Sequence, residues 1–574
     1  MTEFFGKDVK TLDRDGLKEV CEHLREKIIT TVMNNGGHLS SNLGIIELTV
    51  ALHYVFDFPT DKLIFDVGHQ CYAHKLLSGR EAEFTNLRKR GGPSGFPKRE
   101  ESDYDCYNTG HAGTSVSAAL GFAKARDIRG ENFNVIAIIG DGSFNNGLVY
   151  EAFNSLRPLN TNILVILNDN GMSISPTVGS MHEYLEQLSQ NDKFRAKVEK
   201  HTNIFERFGF SYDGVYDGND LDGMIEKLTE IKEKLKTQSV ILHVATKKGK
   251  GYSFCEEHPQ QTHGITCNGK RNVTSYSEVL GKTLVSLAEK NKSIVAVTAA
   301  MTPSLGLSEF FEKYPERAID VGICEEHATI LCAALAAQGL KPYYAVYSTF
   351  LQRSFDEIII DICSQNLPVT LCVDRAGISG EDGETHQGVF DLSFLNMIPN
   401  LTIAVPKDIT EFEEMLVASA GFNAPLAIRY PKECRTLFDC GGNKLEFGRW
   451  EYLSRGNGGI AVLACGERAI KTALDVNAHF NGELTVINAR FVKPLDRQTL
   501  DALCDKLIIT IEDNQLIGGF GSSICGYFSD SGVKVKCFGC ADEFIPHGSV
   551  EELTKEFGAD KNSIIRYIES NAIR

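Results

Sequence analysis

The sequence predicts an α/β fold with three domains built on mostly parallel sheets. Strand-like apolar runs alternate with helical periods along all 574 residues, which is the pattern of parallel strands joined by helices. One hydrophobic core stops growing at roughly 250–300 residues, so a chain of this length needs several domains. Polar, glycine-containing stretches at 267–275 and 438–448 divide the chain into three segments. The predicted strands are 135–140, 162–168, 239–246, 293–300, 367–374, 459–466 and 506–513.

Composition indicates an ordinary globular protein and excludes some partners. The chain is 42% hydrophobic and 24% charged, with a formal net charge of -17. Such an acidic surface repels a phosphate backbone, which argues against nucleic acid or an anionic membrane as the main partner. No apolar run reaches the ~18 residues that span a bilayer, and the first residues lack the order of a signal peptide. We therefore expect a cytoplasmic protein.

The 16 cysteines are scattered along the chain, which favours reduced thiols over a disulfide framework. One C-x-x-C motif joins Cys537 and Cys540, without a second Cys/His pair at zinc-like spacing. We expect both to be small core residues, and a metal or redox role is the alternative.

The strongest local signal lies between residues 135 and 170. The predicted strand 135–140 runs into Gly140-Asp141-Gly142, the segment 145–156 reads as a helix, and the next strand ends in Asn168-Asp169-Asn170. Asn170 follows Asp141 by 29 residues, about the length of one βαβ unit. The two side chains should therefore lie together at the carboxyl ends of adjacent parallel strands, the edge where such sheets bind ligands.

This edge suits a magnesium ion and a diphosphate. Carboxylate and amide oxygens are ligands that Mg²⁺ accepts, and it completes its octahedron with water and phosphate oxygens. Gly140 and Gly142 allow close backbone approach, and the next helix offers N–H groups to an anion. The alternative is a plain strand-to-helix turn with Asp141 as N-cap.

The GDG and NDN motifs resemble the signature of thiamine-diphosphate enzymes, in which Asp141, Asn170 and the carbonyl of Met172 would hold the metal. Other stretches resemble the 1-deoxy-D-xylulose-5-phosphate synthase family along nearly the whole chain. They are ELTVALHYVF, DVGHQCYAHKLLSGR, GHAGTSVSAALG, LNDNGMSIS, VATKKGKGY, YSTFLQRSFD, DRAGISGEDGETHQGVFDLSFL, NARFVKPLD and DEFIPHG. Transketolases share the GEDG-x-THQ motif, but YSTFLQR and DRAGISG are more typical of the synthase.

The resemblance implies three domains: a pyrophosphate-binding domain over 1–270, a pyrimidine-binding domain over 271–437 and a transketolase C-terminal-like domain over 438–574. It also implies thiamine diphosphate and Mg²⁺ as cofactors and a homodimer.

Glu325 precedes a run of small apolar residues and should begin a buried helix, where burial raises the pKa of a carboxylic acid. Such an acid could polarise the aminopyrimidine ring of the cofactor, the role that the resemblance gives to this position. Glu326 is the rival, and a favourable charge at a helix N-terminus is the structural alternative for either. The resemblance implies that Phe350 stacks on the aminopyrimidine ring, although a Phe after a strand is more often a core residue.

Proton transfer between pyruvate and an aldehyde acceptor calls for groups that titrate near neutral pH, such as histidine. The resemblance nominates His38, His69, His111, His263 and His386, each of which would otherwise be structural. It assigns cofactor contacts to His69, Gly110, His111, Ala112, Gly142, Ser143, Asn170, Tyr252, Glu325 and Phe350. It assigns the substrate phosphate to Arg375 and Arg429, with surface ion pairs as the alternative. Asp382, Tyr347 and Arg353 would order this pocket.

Four features depart from the family pattern. The segment between Met172 and Ile204 is shorter than family members usually have, which bears on closure of the site. The stretch after His263 is also short. Asn219 stands where the family generally has His, and Glu326 where it has Gln. The last two changes could retune acceptor choice or mean little.

The sequence therefore predicts an enzyme that decarboxylates pyruvate and joins the two-carbon unit to D-glyceraldehyde 3-phosphate, giving 1-deoxy-D-xylulose 5-phosphate and CO₂. In the family this product feeds isoprenoid, thiamine and pyridoxal precursors. The alternatives are a transketolase acting on ketose phosphates and a non-catalytic thiamine-diphosphate-binding paralogue.

Overall fold

The computed structural model describes residues 9–172, 178–191, 203–265, 274–438 and 444–571. The chain divides into two compact units. The first is residues 1–270 with 322–324, and the second is residues 271–321 with 325–574. The second unit carries two sheets whose apolar residues join in one continuous core, which is why it forms a single unit. The three predicted domain boundaries stay a prediction.

The first unit is built on a five-stranded sheet in the order β1-β2-β3-β5-β4, in which every pair is parallel. Its strands are Lys62–Phe65 (β1), Val135–Gly140 (β2), Leu164–Asp169 (β3), Ser211–Asp217 (β4) and Val240–Ala245 (β5). The described α-helices are Arg14–Asn35, Leu39–Leu43, Ile46–Val55, Tyr72–Leu77, Glu81–Phe84, Ser115–Arg129, Asp141–Phe144, Gly147–Leu159, Ser180–Gln190, Ile204–Phe208, Leu221–Lys234 and Ser253–Glu257. Apolar clusters cover both faces of the sheet, as parallel sheets require.

The second unit begins with a seven-stranded sheet in the order β15-β10-β11-β9-β8-β6-β7. Its strands are Ile294–Thr298 (β6), Ala318–Asp320 (β7), Lys341–Tyr347 (β8), Thr370–Asp374 (β9), Thr402–Ala404 (β10), Leu426–Arg429 (β11) and Phe491–Lys493 (β15). All pairs are parallel except β10 with the edge strand β15. The associated helices are Tyr276–Lys290, Ser308–Lys313, Glu325–Ala337, Ser348–Leu351, Phe355–Glu357, the π-helix Ile358–Cys363, Asp391–Asn396 and Ile409–Ser419.

The same unit ends in a five-stranded sheet in the order β12-β14-β13-β16-β17. Its strands are Glu451–Ser454 (β12), Ile460–Cys465 (β13), Thr485–Asn488 (β14), Leu507–Gln515 (β16) and Val535–Cys540 (β17). Only β12 is antiparallel to its neighbour. Its helices are Glu467–His479, Arg497–Asp501, Phe520–Tyr527, Val550–Phe557 and Lys561–Asn571.

The predicted α/β class with mostly parallel sheets is confirmed, and every predicted strand is present within two or three residues of its expected bounds. Among the residues described, no helix is both long and apolar enough to cross a membrane.

Candidate functional site

The predicted metal edge forms where β2 and β3 end side by side. Gly140 pairs with Asn168 in the parallel register, so Asp141 and Asn170 leave the sheet at the same carboxyl edge. Asp141 is buried, with only 1% of its surface exposed, and begins the short helix Asp141–Phe144. A carboxylate and an amide therefore follow adjacent strands at the same edge of the sheet, as the sequence spacing predicted.

Hydrogen bonds hold the turn after β3 in shape. Asp169 accepts from the N–H of Gly171 at 3.1 Å and from Nε2 of the fully buried His243 at 3.0 Å. The other ring nitrogen of His243 accepts from the Tyr212 hydroxyl at 2.8 Å. Because an ionised carboxylate only accepts, this chain fixes the His243 tautomer. The side-chain oxygen of Asn170 lies within the same turn.

Lys248 is a cation at this edge that the sequence reasoning missed. It is 7% exposed, and burial lowers its pKa to about 8, while attraction to Asp141 opposes that shift. A buried ammonium beside a carboxylate suits a site that takes a metal ion and phosphate oxygens together. The KKGKGY sequence, in which lysines adjoin glycines shortly after β5, is the signal that could have found it.

The loop that carries Gly110, His111 and Ala112 is anchored by Asp66. The Asp66 carboxylate, at the end of β1, accepts from the N–H groups of Gly113 at 2.8 Å and Ser115 at 3.0 Å. Gly113 has φ of 84°, and a Cβ there would lie 2.6 Å from the Asn146 amide oxygen. Only glycine fits this close approach.

The remaining predicted cofactor contacts of the first unit lie near strand ends. Gly142 and Ser143 are buried in the short helix after β2, and Tyr252 immediately precedes the helix Ser253–Glu257. Taken with Asp141, Asn170 and Lys248, the donor set fits Mg²⁺ with a diphosphate, because it offers oxygen ligands, glycine-lined backbone and one buried cation.

Three of the predicted histidines converge although they are far apart in sequence. The ring centroids of His38 and His69 are 5.1 Å apart, those of His69 and His263 are 5.2 Å apart, and those of His38 and His263 are 5.5 Å apart. Asn42 joins two of these segments by donating to the carbonyls of His38 at 2.6 Å and His69 at 2.8 Å. Asn42 is a positioning residue that no sequence pattern indicated.

The histidine cluster contains a neutral imidazole at physiological pH. Burial, and after it the positive charge of Lys248 and the neighbouring imidazoles, holds the pKa of His263 well below its usual range. A neutral imidazole can both accept and donate a proton.

Asn219, which departs from the family pattern, ties three loops together. Its amide donates to the Gly44 carbonyl at 3.0 Å and to Glu47 at 3.1 Å, and its oxygen accepts from the N–H of Lys247 at 2.8 Å. Lys247 adjoins Lys248, so Asn219 supports the turn that carries this cation.

In the second unit, Glu325 begins the helix Glu325–Ala337 and is 3% exposed, as predicted from the small apolar run behind it. Burial raises the pKa of its carboxyl group to about 7, against an opposing attraction to Arg353, whose Nη1 lies 3.7 Å from Oε2. Its neighbour Glu326 is only partly buried. Glu325 is therefore the carboxyl group able to hold a proton at neutral pH.

This shift predicts a pH-dependent stability difference for Glu325→Gln in the protein without cofactor. The folded-state pKa of about 7 exceeds the usual 4.5, so the contribution of Glu325 is present in full below about pH 4.5 and is lost as pH rises through 7. Glutamine has no such proton. The free energy of unfolding of the wild type relative to the variant should fall by roughly 3 kcal/mol between pH 5 and pH 9. Thermal melts of both proteins across this range check it, and parallel curves would contradict it.

Several predicted residues of the second unit form one chain of contacts. Phe350 stacks on Tyr347 with ring centroids 5.5 Å apart and meets His386 edge-on at 5.8 Å. The guanidinium of Arg375 lies over the Tyr347 ring, 3.9 Å from its centroid. This cation–π contact orients the Arg375 guanidinium.

Arg429 has a different environment from Arg375. It is 3% exposed, its Nε contacts both carboxylate oxygens of Asp391 at 2.9 Å, and its Nη2 donates to the carbonyls of Gly388 and Asp513. The prediction that Arg429 binds a substrate phosphate is disfavoured by this packing, because the buried Asp391 already takes its charge.

Lys432 is a nearby cation that the sequence reasoning passed over. It is accessible to solvent, yet surrounding protein atoms desolvate it enough to lower its pKa, and repulsion from Arg375 lowers the pKa further. Glu381 and the predicted pocket residue Asp382 oppose that shift. Arg375 and Lys432 are thus two cations close enough to repel each other, an arrangement that an anion could stabilise.

The shortened segment after Met172 falls largely outside the described residues, at 173–177 and 192–202. The Met172 N–H donates to the Asn170 side-chain oxygen at 3.2 Å, which places its backbone beside the predicted metal edge. The effect of the short segment on closure stays a prediction.

Family models match three consecutive parts of the chain. Residues 5–203 and 191–246 match the model described as 1-deoxy-D-xylulose-5-phosphate synthase. Residues 273–435 match the transketolase pyrimidine-binding domain, and residues 449–564 match the transketolase C-terminal domain. The last two matches agree with the parallel α/β sheets of the second unit.

Curated relatives match along almost the whole chain. The 1-deoxy-D-xylulose-5-phosphate synthase of Clostridium tetani is 45% identical over 608 aligned residues, covering 98% of this chain and 97% of the relative. The protein of the same name from Carboxydothermus hydrogenoformans is 44% identical, covering 97% of this chain and 96% of the relative. Among solved structures, a transketolase from Campylobacter jejuni is 18% identical, with a TM-score of 0.45 over 98% of this chain and 100% of that chain.

Proposed function

Given that the chain belongs to the 1-deoxy-D-xylulose-5-phosphate synthase family, we propose that its own residues carry out that synthesis. The enzyme is a transferase that depends on thiamine diphosphate and Mg²⁺. It decarboxylates pyruvate and joins the two-carbon unit to D-glyceraldehyde 3-phosphate. The observation that carries this proposal is Glu325, a buried carboxyl group with a pKa of about 7.

We assign the metal and diphosphate to the first unit. Asp141, Asn170 and the Met172 carbonyl would hold Mg²⁺, and Lys248 would neutralise a phosphate oxygen. This assignment is supported by the shared carboxyl edge of β2 and β3 and by the buried position of Lys248. Backbone N–H groups around Gly142 and Gly113 would approach the phosphates.

We assign proton movements to Glu325 and the histidines. When bound, thiamine diphosphate supplies the nucleophilic carbon that takes up the two-carbon unit. Glu325 would hold a proton against the pyrimidine ring, with Phe350 on the ring face and Arg353 setting the carboxyl pKa. His263, kept neutral by its surroundings, would exchange protons with substrate oxygens beside His38 and His69.

We assign the aldehyde's phosphate to Arg375 and Lys432 in place of Arg429. An acidic protein needs a local pair of cations to bind this dianion. Arg375 is oriented by Tyr347, whereas Arg429 is bound by Asp391. His386 and Asp382 would complete the pocket.

A Lys432→Gln variant should raise KM for D-glyceraldehyde 3-phosphate by about 10- to 100-fold, the worth of one charged hydrogen bond. Its KM for pyruvate should stay within about twofold. Steady-state kinetics with each substrate varied in turn measure both, and Lys432→Arg should recover most of the affinity. An equal rise in both KM values, or none, would exclude Lys432 from the phosphate pocket.

Arg429→Met tests whether Arg429 stabilises the fold through Asp391 and does not bind the substrate phosphate. Removing the guanidinium leaves the buried Asp391 carboxylate without its cation, which should cost about 3–5 kcal/mol of folding free energy. Chemical denaturation of the variant and of Lys432→Gln compares the two positions directly. A stable Arg429→Met protein with a selective loss of aldehyde affinity would restore the original assignment.

The activity itself is tested with purified protein, Mg²⁺ and thiamine diphosphate. Release of CO₂ from labelled pyruvate should accelerate when D-glyceraldehyde 3-phosphate is added, and 1-deoxy-D-xylulose 5-phosphate should accumulate. The absence of coupled product would refute the proposal. Turnover of xylulose 5-phosphate without pyruvate would favour a transketolase.

A homodimer and a cytoplasmic location are part of the same proposal, supported by the family resemblance. Light scattering during gel filtration measures the first. A mass of one chain, near 63.3 kDa, would exclude the dimer.

A further inference from the structure

The C-x-x-C motif at the end of the last sheet does not bring its own two thiols together. Residues 537 and 540 differ by an odd number along β17, so their side chains point to opposite faces. Cys540 is fully buried. Cys537 instead lies against Cys525 of the helix Phe520–Tyr527, with the two sulfur atoms 3.6 Å apart.

Glycine at position 521 creates this proximity. A Cβ at Gly521 would lie 2.7 Å from the Cys537 sulfur and 2.7 Å from the Thr510 hydroxyl, so a larger residue would force these side chains or the helix to shift. Gly521 and Cys525 are four residues apart and share one helix face. Because the helix lies close to β17 at Gly521, Cys525, one turn further along the same helix face, lies against Cys537.

The pair is accessible, unlike most thiols of this chain. Cys525 is exposed and Cys537 is partly exposed, whereas nine of the fourteen cysteines that the structure describes are buried. Within the described ranges, no group of three or more His, Cys, Asp or Glu side chains could hold a metal ion. The geometry is that of two thiols facing each other at the surface.

We propose that Cys525 and Cys537 are a reversible redox pair that forms a disulfide with a small-molecule disulfide such as oxidised glutathione. The Cys525 thiolate attacks one sulfur of that disulfide, and a mixed disulfide forms as one glutathione thiolate leaves. The Cys537 thiol then loses its proton to solvent and attacks the Cys525 sulfur, expelling the second glutathione. Two protein thiols are oxidised and one glutathione disulfide is reduced to two thiols.

The bond needs only local movement. The sulfur atoms must close from 3.6 Å to about 2.05 Å to form the bond. The N-terminal end of the helix is already fixed, because Glu512 accepts from the N–H groups of Phe520 and Gly521 at 2.8 Å each. The disulfide would fix the C-terminal end of the helix Phe520–Tyr527 to β17. Because this cross-link constrains the unfolded chain, the melting temperature of the oxidised protein should rise by a few degrees.

The test treats the full-length protein with oxidised glutathione, blocks remaining thiols with N-ethylmaleimide and maps peptides without reduction. A cross-linked peptide joining Cys525 to Cys537 should appear, lacking two hydrogen atoms, and dithiothreitol should abolish it. In Cys537→Ser, glutathione should remain attached to Cys525, because the resolving thiol is gone.

Cys504→Ser is the matched control, since Cys504 is also exposed but lies outside the pair. It should form the cross-link as the wild type does. Stable glutathione on Cys525 in the wild type, or cross-links of Cys525 to other cysteines, would overturn the proposal. An unmodified Cys525 under conditions that modify Cys504 would overturn it as well.

Discussion

An Asp141→Ala variant should fold but lose Mg²⁺-dependent binding of thiamine diphosphate, and with it all synthesis. Asp141 is the one carboxylate among the three proposed metal ligands, and it directly follows β2 at the edge where β3 leads into the turn that carries Asn170. Loss of residues that merely support metal ligands costs 10–100-fold in metal affinity, so loss of the charged ligand should cost more than about 100-fold. Calorimetric titration of cofactor with and without EDTA measures the loss.

Asp103→Ala is the matched control, because Asp103 is an exposed aspartate of the same unit. Its cofactor affinity should equal that of the wild type. Asp141→Asn keeps one oxygen ligand without the charge and should bind weakly, with affinity that rises at high Mg²⁺. Unchanged, metal-dependent cofactor binding in Asp141→Ala would remove the metal from this edge of the sheet.

The sequence was sufficient for features that depend on short stretches of chain. Alternating apolar runs and helices predicted the strands, because side-chain burial repeats with the local period. Asp141 and Asn170 belong to one βαβ unit, so their separation of 29 residues already implied that they leave the sheet at one edge. Glu325 could be predicted as buried because the helix behind it is apolar.

Long-range partners could not be predicted in this way. His38, His69 and His263 were nominated only by family resemblance, and nothing near them in sequence shows that they converge. Asn42 joins two of the segments and Asp66 anchors a third loop, but the sequence around them does not reveal either contact.

The proposed phosphate pocket shows most clearly that long-range contacts cannot be predicted from local sequence. Arg429 and Lys432 lie three residues apart, and arginine is the residue that sequence reasoning favours for phosphate. Asp391, 38 residues earlier in the chain, binds Arg429 in the core. The Arg429–Asp391 ion pair therefore decides which of the two cations is available to bind a phosphate. No local sequence pattern reveals this ion pair.

A Glu325→Ala variant should bind thiamine diphosphate with Mg²⁺ almost normally, yet lose CO₂ release from pyruvate by roughly 10²–10⁴-fold, the usual contribution of a positioned acid. The metal and diphosphate contacts assigned to Asp141, Asn170 and Lys248 remain intact in this variant. What is lost is the buried Glu325 carboxyl group, whose pKa, raised by burial to about 7, would allow it to share a proton with the pyrimidine ring. Calorimetry and hydrogen–deuterium exchange at the thiazolium carbon separate the two effects.

Glu326→Ala gives the sharpest control, because Glu326 is adjacent and carries the same carboxyl group but is only partly buried. Its turnover should stay within a few-fold of the wild type, while exchange at the thiazolium carbon should slow only in Glu325→Ala. If Glu325→Ala and Asp141→Ala lost cofactor binding to the same extent, Glu325 would be a binding residue and the different roles proposed for Glu325 and Asp141 would be wrong. If Glu326→Ala were the slower variant, the proton would belong to Glu326, and burial would not be what selects the acid.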